Sequence, residues 1–351
     1  MKAALAFELP AALEAREPPE ARGLARDGVR LMVSTRGEGT IVHGRFRDLP
    51  SFLDPGDLLV INTSATLPAA LAAHRADGSA VRVHFATRAP HLPVEDWWVV
   101  ELRSPDGAHP LSDAGMPGRA GERLTLAGGA ELEIVAPYAS GARLLLARIE
   151  AGTPLSRYLA HHGEPIRYGY IRGRWPLAAY QTAYATVPGS AEMPSAGRPF
   201  TPELLTALIA KGMLIAPVTL HTGVSSPERH EPPYPERYEV PASTARLVTA
   251  ARSWGGRVIA VGTTVVRALE SATGADGTVA PASGWTGLVV TAASPLAAVD
   301  GLLTGWHEPE ASHFSMLEAV AGAELIDRSY RAALAQGYLW HEFGDSQLIL
   351  P

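Results

Sequence analysis

Val258-Ile259-Ala260-Val261 is a short apolar run with no polar alternation, set between Gly255-Gly256 and Gly262-Thr263-Thr264. Such a run suits a strand covered on both faces. Gly262 lets the backbone bend at the strand's C-terminal end. Thr263 and Thr264 are good caps for the helix predicted to follow through Ser271. In open α/β sheets, ligands settle at corners of this kind, where the first N–H groups of the helix lack partners. Arg267 and Glu270 lie three apart and share a helix face, which reads equally as a surface ion pair and as part of a site.

The rest of the chain alternates in texture. Arg30 to Ser34 and Thr40 to His43 predict a hairpin across Gly37-Glu38-Gly39. Leu58 to Asn62 predicts a buried strand after the Asp54-Pro55-Gly56-Asp57 turn. From about Ala69 to Glu150 short alternating runs recur between Gly- and Pro-rich turns, among them Ala80 to Phe85, Trp97 to Leu102 and Ala130 to Val135. They predict a small all-β barrel or sandwich. Trp97 and Trp98 read as core more readily than as a nucleic-acid stacking platform. Beyond residue 150 helices return. Thr201-Pro202-Glu203 is a cap, a first-turn proline and a first-turn acid, predicting a helix that ends at Gly212. Met213 to Leu220 predicts a strand, Pro241 to Trp254 a helix, and Phe314 to Ala335 two helices. Strand, crossover helix and strand are the parallel α/β signature. The loop Val224 to Tyr238 is charged and holds four prolines. A loop of that length is functional or disordered, and Glu236 and Glu239 read there as solvated charge.

At 351 residues the chain predicts two domains. The net charge of −6 supplies no global field for nucleic acid, although 28 of the 30 basic residues are arginine and allow a local patch. The absence of cysteine rules out disulfides, thiolate nucleophiles and Cys-based metal sites. The twelve histidines include no H-E-x-x-H pattern, so no metal is expected. No run reaches the ~18 apolar residues of a membrane span, and Glu8 and Pro10 break any signal-peptide core. The expectation is a cytoplasmic protein with no membrane association, a monomer or weak homo-oligomer.

Polar clusters fall at predicted strand ends: Asn62-Thr63-Ser64, Pro194 to Gly197, His221-Thr222-Gly223, Gly262-Thr263-Thr264, Gly284-Trp285-Thr286 and Trp306-His307-Glu308. Converging on one sheet edge, they make a small-ligand pocket. His221, just past a strand, is a candidate general base, and Gly262-Thr263-Thr264 suits a carboxylate or ribose hydroxyl at a helix N-terminus.

Val261 to Ser271 resembles the V-G-T-T-x-V-R-x-L-E-S motif of the S-adenosylmethionine:tRNA ribosyltransferase-isomerases of queuosine biosynthesis. Further stretches agree in the family's order: Phe7 to Pro10, Phe46 to Leu49, Pro55 to Val60, Tyr180 to Ala185, Pro188 to Ser190, Ser195 to Gly197, Thr219 to Gly223, Gly284 to Thr286 and Gly344-Asp345. The resemblance implies an α/β domain with a mixed sheet, residues 1–68 and 151–351, interrupted by a small all-β barrel, residues 69–150. It implies transfer and isomerisation of the ribosyl part of S-adenosylmethionine, a cosubstrate, onto 7-aminomethyl-7-deazaguanine in tRNA, with adenine and methionine released. A base takes a proton from the carbon beside the sulfonium, and an acid assists adenine's departure. By motif position His221 and Glu236 are the expected proton-transfer residues. Asn62, Tyr180, Gln181, Thr182, Ser195, Gly197, Thr222, Gly262, Thr263, Thr264, Arg267, Glu270, Trp285 and His307 are the expected binding residues, Arg267 by pairing with the methionine carboxylate or a phosphate.

Departures from the family pattern accompany the matches. Ala65 and Ala70 stand where the family has arginine, Arg198-Pro199 replaces a Leu-His pair, Gly287 an aspartate, and Glu310 a lysine. Fewer cations weaken phosphate binding, which supplies much of a protein's affinity for RNA. Three readings stay open: a tRNA enzyme, a divergent paralogue consuming S-adenosylmethionine with a small-molecule acceptor or by elimination, and a non-catalytic RNA- or ligand-binding homologue.

Overall fold

The computed structural model describes residues 7–90, 92, 96–112, 115–138, 143–224, 234–308 and 313–351. Ser225 to Pro233 of the proline-rich loop, and Pro309 to Ser312, lie outside the described residues. In chain order the strands and helices are β1 (Arg30–Thr35), β2 (Thr40–Arg45), β3 (Leu58–Asn62), β4 (Ser64–Thr66), β5 (Ala70–Arg75), β6 (Ala80–Arg88), β7 (Trp97–Arg103), β8 (Arg123–Leu126), β9 (Glu131–Pro137) and β10 (Leu144–Glu150), then α1 (Leu155–His162), β11 (Val187–Ser190), α2 (Pro202–Ala210), β12 (Leu214–Leu220), β13 (Glu236–Val240), α3 (Ala242–Ser253), β14 (Val258–Val261), α4 (Thr263–Ser271), β15 (Ala282–Thr286), β16 (Gly301–Gly305), α5 (His313–Ala321), α6 (Ala323–Gln336) and β17 (Ser346–Leu350).

Among the described residues nine strands form a mixed sheet in the order β15-β13-β12-β3-β14-β16-β17-β1-β2, and β5 to β10 close into a barrel in the order β10-β7-β6-β5-β8-β9. The sheet is covered on both faces, which is why its central strands carry unbroken apolar runs. Leu58, Val60, Val258, Ala260 and Leu302 point to one face and join a core with residues of α3, α4, α5 and α6. Leu59, Ile61, Ile259, Val261 and Leu303 point to the other and pack with Phe46, Phe200, Leu204 and Leu208. Side chains alternate along a strand, so both sets come from the same few residues. The barrel has its own core, with Leu71, Val83, Phe85, Val100, Leu132 and Ile134, which α1 joins through Leu155, Tyr158 and Leu159. Trp98 belongs to that core and is buried, as the core reading of the tryptophan pair expects.

The parallel strands set the location of the site. β3 pairs in parallel with β12 and β14, and β14 in parallel with β16. Asn62, Leu220, Val261 and Gly305 therefore finish at one edge, where α/β sheets collect ligands. At the opposite edge Arg257 clamps the start of β3. Its Nε donates to Asp57 Oδ1 and Oδ2 at 3.1 and 3.0 Å, its amide donates to Asp57 Oδ1 at 2.9 Å, and Val258 N donates to Asp300 Oδ2 at 2.8 Å.

Two expectations are corrected. Thr263 and Thr264 do not cap α4: the cap is Gly262, at φ 97, and the threonines are the first two helical residues. The left-handed turn that only glycine takes without strain moves the cap one residue earlier. Glu236 is not a solvated loop charge. It opens β13 and is 13% exposed.

Burial pulls the Asp57 carboxyl up, but the Arg257 guanidinium and the Asp54 and Arg257 amides outweigh it and hold it below its ordinary 3.8. A carboxylate with a depressed native pKa stabilises the fold above its ordinary pKa and loses that contribution as pH falls through the native value. Asp57→Asn is expected to cost about 2–3 kcal/mol at pH 7, by urea unfolding. The difference from wild type should narrow once the pH falls below about 3.8.

Candidate active site

Among the described residues the strand ends and the barrel border two sizeable cavities. The first, about 510 Å³, has Gly262, Thr263 and Thr264 in its lining, together with Tyr180, Ser195, Thr222, Glu236, Arg267 and His307. The second, about 570 Å³, is lined by His221 and Trp285 with Arg88, Arg148, Arg237 and Gly189. Thr222 lines one and His221 the other, so the two lie on opposite sides of the chain that follows β12. The expected site residues are thus split. Nine line the first cavity, two the second, and five line neither.

Those five support the walls. The Asn62 carboxamide ties three elements: Oδ1 accepts from Leu220 N at 3.0 Å and Ser64 N at 3.1 Å, and Nδ2 donates to Leu220 O at 2.8 Å and Thr264 Oγ1 at 3.2 Å. Gln181 brackets Thr66, accepting from its amide at 3.0 Å and donating to its carbonyl at 2.8 Å. Thr182 is buried against Gly197, where a Cβ would lie 2.1 Å from the Tyr184 hydroxyl and 3.1 Å from Thr182 Cγ2. Glu270 does not pair with Arg267. It accepts from Ala297 N and Ala298 N at 3.0 and 2.9 Å.

Arg267 is buried and fully engaged. It pairs with Glu236 and donates to Leu288 O at 3.1 Å and Thr286 O at 2.9 Å. Glu236 also accepts from Gly223 N at 3.0 Å. Burial pushes the Glu236 carboxyl above its ordinary range, while Arg267 and the Gly223 amide pull the other way without prevailing.

The histidines of the region are held neutral. His221 sits at about 4, from burial and then the charges of Arg237 and Arg88. Its Nδ1 meets Ser64 Oγ at 2.7 Å, Ser64 Oγ meets Ser190 Oγ at 2.6 Å, and Ser190 Oγ accepts from Thr222 N at 3.0 Å. Gly189 packs on the ring so closely that a Cβ would lie 2.5 Å from it. In the first cavity His307 stacks on His313 with centroids 4.3 Å apart and contacts Thr304 Oγ1 at 2.9 Å. Burial lowers both, His313 to about 4.

Several cavity residues carry no family motif and no helical or strand spacing to reveal them. Tyr168 donates to Glu192, Tyr170 donates to Glu342 at 2.6 Å, and His341 stacks on Tyr170 at 3.9 Å. The cavity also takes in Glu308. Its cations, Arg103 and Arg267, both face carboxylates: one terminal nitrogen of Arg103 lies 3.1 Å from both oxygens of Glu101, and Arg267 pairs with Glu236.

The model of the family described as "Queuosine biosynthesis protein" matches residues 2–349. The chain belongs to that family. It is 38% identical to the S-adenosylmethionine:tRNA ribosyltransferase-isomerase of Symbiobacterium thermophilum and 36% identical to that of Thermus thermophilus, in each case over 98% of both chains. A crystal structure of S-adenosylmethionine tRNA ribosyltransferase from Thermotoga maritima aligns over 98% of this chain and 99% of its own, with a TM-score of 0.54 and 28% identity. The family's fold, a mixed sheet joined to a closed antiparallel barrel, is the fold found here. Among the described residues no helix is long and apolar enough to cross a membrane.

Glu236→Gln leaves the buried Arg267 guanidinium without its counter-charge. The expected loss is about 3–5 kcal/mol in denaturant unfolding. Part of it should return in the double variant with Arg267→Met, which removes the uncompensated cation as well.

Proposed function

We propose that this chain is an S-adenosylmethionine:tRNA ribosyltransferase-isomerase, with S-adenosylmethionine in the first cavity. The observation that carries this reading is the coincidence of motif and cavity. The stretch with the longest family match, Val261 to Ser271, supplies the corner lining a space of about 510 Å³, within the range of small-ligand sites.

The residues suit the cosubstrate's charges. As the first two helical residues, Thr263 and Thr264 have no intrahelical acceptors for their amides, and the positive end of α4 favours the methionine carboxylate. Arg267 acts by holding Glu236 rather than by gripping that carboxylate. The carboxylates of Glu192 and Glu308 suit the sulfonium and the ammonium. Glu236 serves this wall as the ionised partner of Arg267. Neutral His307 and His313 add no positive charge against the sulfonium.

The RNA side of the reading rests on the second cavity. Arg88, Arg148 and Arg237 border it with Trp285 and His221, cations and rings of the kind that meet phosphates and bases. His221 then belongs to the acceptor side, aligning the wall between the cavities through Ser64 and Ser190. The small-acceptor reading is favoured by one observation: the first cavity is rich in carboxylate and its arginines are already neutralised.

The purified protein incubated with S-adenosylmethionine is expected to release adenine only when tRNA carrying 7-aminomethyl-7-deazaguanine is present. Adenine without tRNA would establish the small-acceptor or elimination reading instead, and no adenine in either case would overturn the enzyme. His221→Ala is expected to raise the KM for tRNA by at least about fivefold while that for S-adenosylmethionine stays within about twofold. A collapse of kcat by about a thousandfold with both KM values unchanged would make His221 the base.

A further inference from the structure

The turn before β17 brings Glu342 to the first cavity in an unusual way. Among the described residues His341 is the one non-glycine with positive φ, at 74. Its conformation is no accident of exposure, since its side chain is 7% exposed. The neighbouring bonds hold it there. Asp345 accepts from Leu339 N at 2.8 Å and Arg30 N at 2.7 Å, Gly344 N donates to His341 O at 3.0 Å, and the His341 ring stacks on Tyr170 at 3.9 Å. Backbone held in a sparsely populated region by its surroundings marks sites where a side chain must be aimed. The side chain that follows is Glu342, part of the cavity lining, whose Oε2 accepts from the Tyr170 hydroxyl at 2.6 Å. Tyr170 in turn stacks on Tyr168, centroids 6.0 Å apart, and Tyr168 donates to Glu192. Two carboxylates, each oriented by a half-buried phenol, thus face one cavity.

We infer that Glu342 is the general base of this cavity, taking the proton from the carbon next to the sulfonium of S-adenosylmethionine. The C–H bond breaks, the proton passes to a Glu342 carboxylate oxygen, and the electron pair stays on carbon as an ylide stabilised by the adjacent positive sulfur. The inference rests on the reading that the first cavity holds S-adenosylmethionine. Tyr170 and His341 are positioning residues. The charged and titratable groups facing Glu342 are Tyr170, Tyr180, Glu192, His341 and Arg198. Burial raises the Glu342 carboxyl to about 7, with the Glu192 charge adding to it and Tyr170, the Glu342 amide and Arg198 opposing. Burial also holds His341 neutral at about 4 and pushes both tyrosines up. A base near the working pH is neither permanently protonated nor too weak to accept.

The test is the pH dependence of adenine release by the wild-type enzyme and its Glu342 and Tyr170 variants. Wild-type kcat is expected to fall on the acid side of about pH 7. Glu342→Gln should lower kcat by about a hundredfold or more with the KM for S-adenosylmethionine within about threefold, and Glu342→Asp should recover part of the rate together with the acid limb. Tyr170→Phe removes a bond that favours the charged carboxylate, so the limb should move to higher pH. A Glu342→Gln variant within about threefold of wild-type kcat, or an acid limb unchanged in both Glu342→Gln and Tyr170→Phe, overturns the assignment. A readout free of turnover separates this from failure of the proposed function. Calorimetric titration with S-adenosylmethionine at pH 7, in two buffers of different ionisation enthalpy, should show proton release with wild type and less with Glu342→Gln. Equal release from both overturns the role of Glu342 even if adenine is never formed. Adenine formation failing in wild type overturns the reaction alone.

Discussion

One buried carboxamide holds the working edge of this molecule together. Backbone pairing between β3 and β12 runs as far as Asn62 and Val218. There the chain turns away, and the Asn62 side chain continues the ladder by bonding both the amide and the carbonyl of Leu220. Its remaining bonds reach Ser64, where the chain heads for the barrel, and Thr264, the second residue of α4. The oxygen accepts twice and the amide donates twice, which is the full capacity of the group. A hydrophobic residue there would strand the Leu220 amide and carbonyl in a buried place, at a cost of about 1–3 kcal/mol for each. An aspartate would lose the donors. The wall between the cavities and the helix corner therefore share one side chain, so their relative position cannot drift independently.

How much of this was legible follows from which physical signals are local. The unbroken apolar runs of β3 and β14 announce a doubly covered sheet, and Thr201-Pro202-Glu203 announces α2, whose first turn the Thr201 hydroxyl closes by accepting from Leu204 N at 3.1 Å. β5 was not visible. Ala70-Leu71-Ala72-Ala73-His74-Arg75 lacks the β-branched and aromatic residues that advertise strands, and it becomes one by pairing with β6 and β8. β13 was hidden for a different reason. A charged sequence reads as loop, yet Glu236 and Tyr238 reach half-buried surroundings because β12 and β15 flank them. Partners distant in sequence decided both cases.

The site divides in the same way. Gly262 to Thr264 and His307 are strand-end residues, legible by position, and line the first cavity. The carboxylate–phenol pairs were not legible, because no spacing encodes them: Tyr170 and Glu342 are 172 residues apart and Tyr168 and Glu192 are 24 apart. Arg267 of the family motif lines the first cavity, but its partner was not legible. An arginine three residues from a glutamate on one helix face suggests Glu270, whereas the carboxylate it meets is Glu236, 31 residues away on β13. Glu270 is drawn to the amides of Ala297 and Ala298 instead. Helical spacing brings side chains within reach, and the surrounding donors then determine which pairs form.

The electrostatic character of the first cavity narrows its chemistry further. A histidine is the usual choice for proton transfer near neutrality, and three lie around this cavity. Burial lowers His307, His313 and His341, so none carries a proton at neutral pH to give away, and each accepts one only weakly. The same burial works in the opposite sense on carboxyls, raising Glu236 and Glu342. Desolvation penalises whichever form is charged. It therefore disfavours the charged form of these histidines and brings Glu342, at about 7, into the range where acid–base work is done. For a cosubstrate whose reactive centre is a sulfonium this is the favourable assignment: a deprotonated glutamate beside the sulfur attracts it, whereas a protonated histidine would repel it.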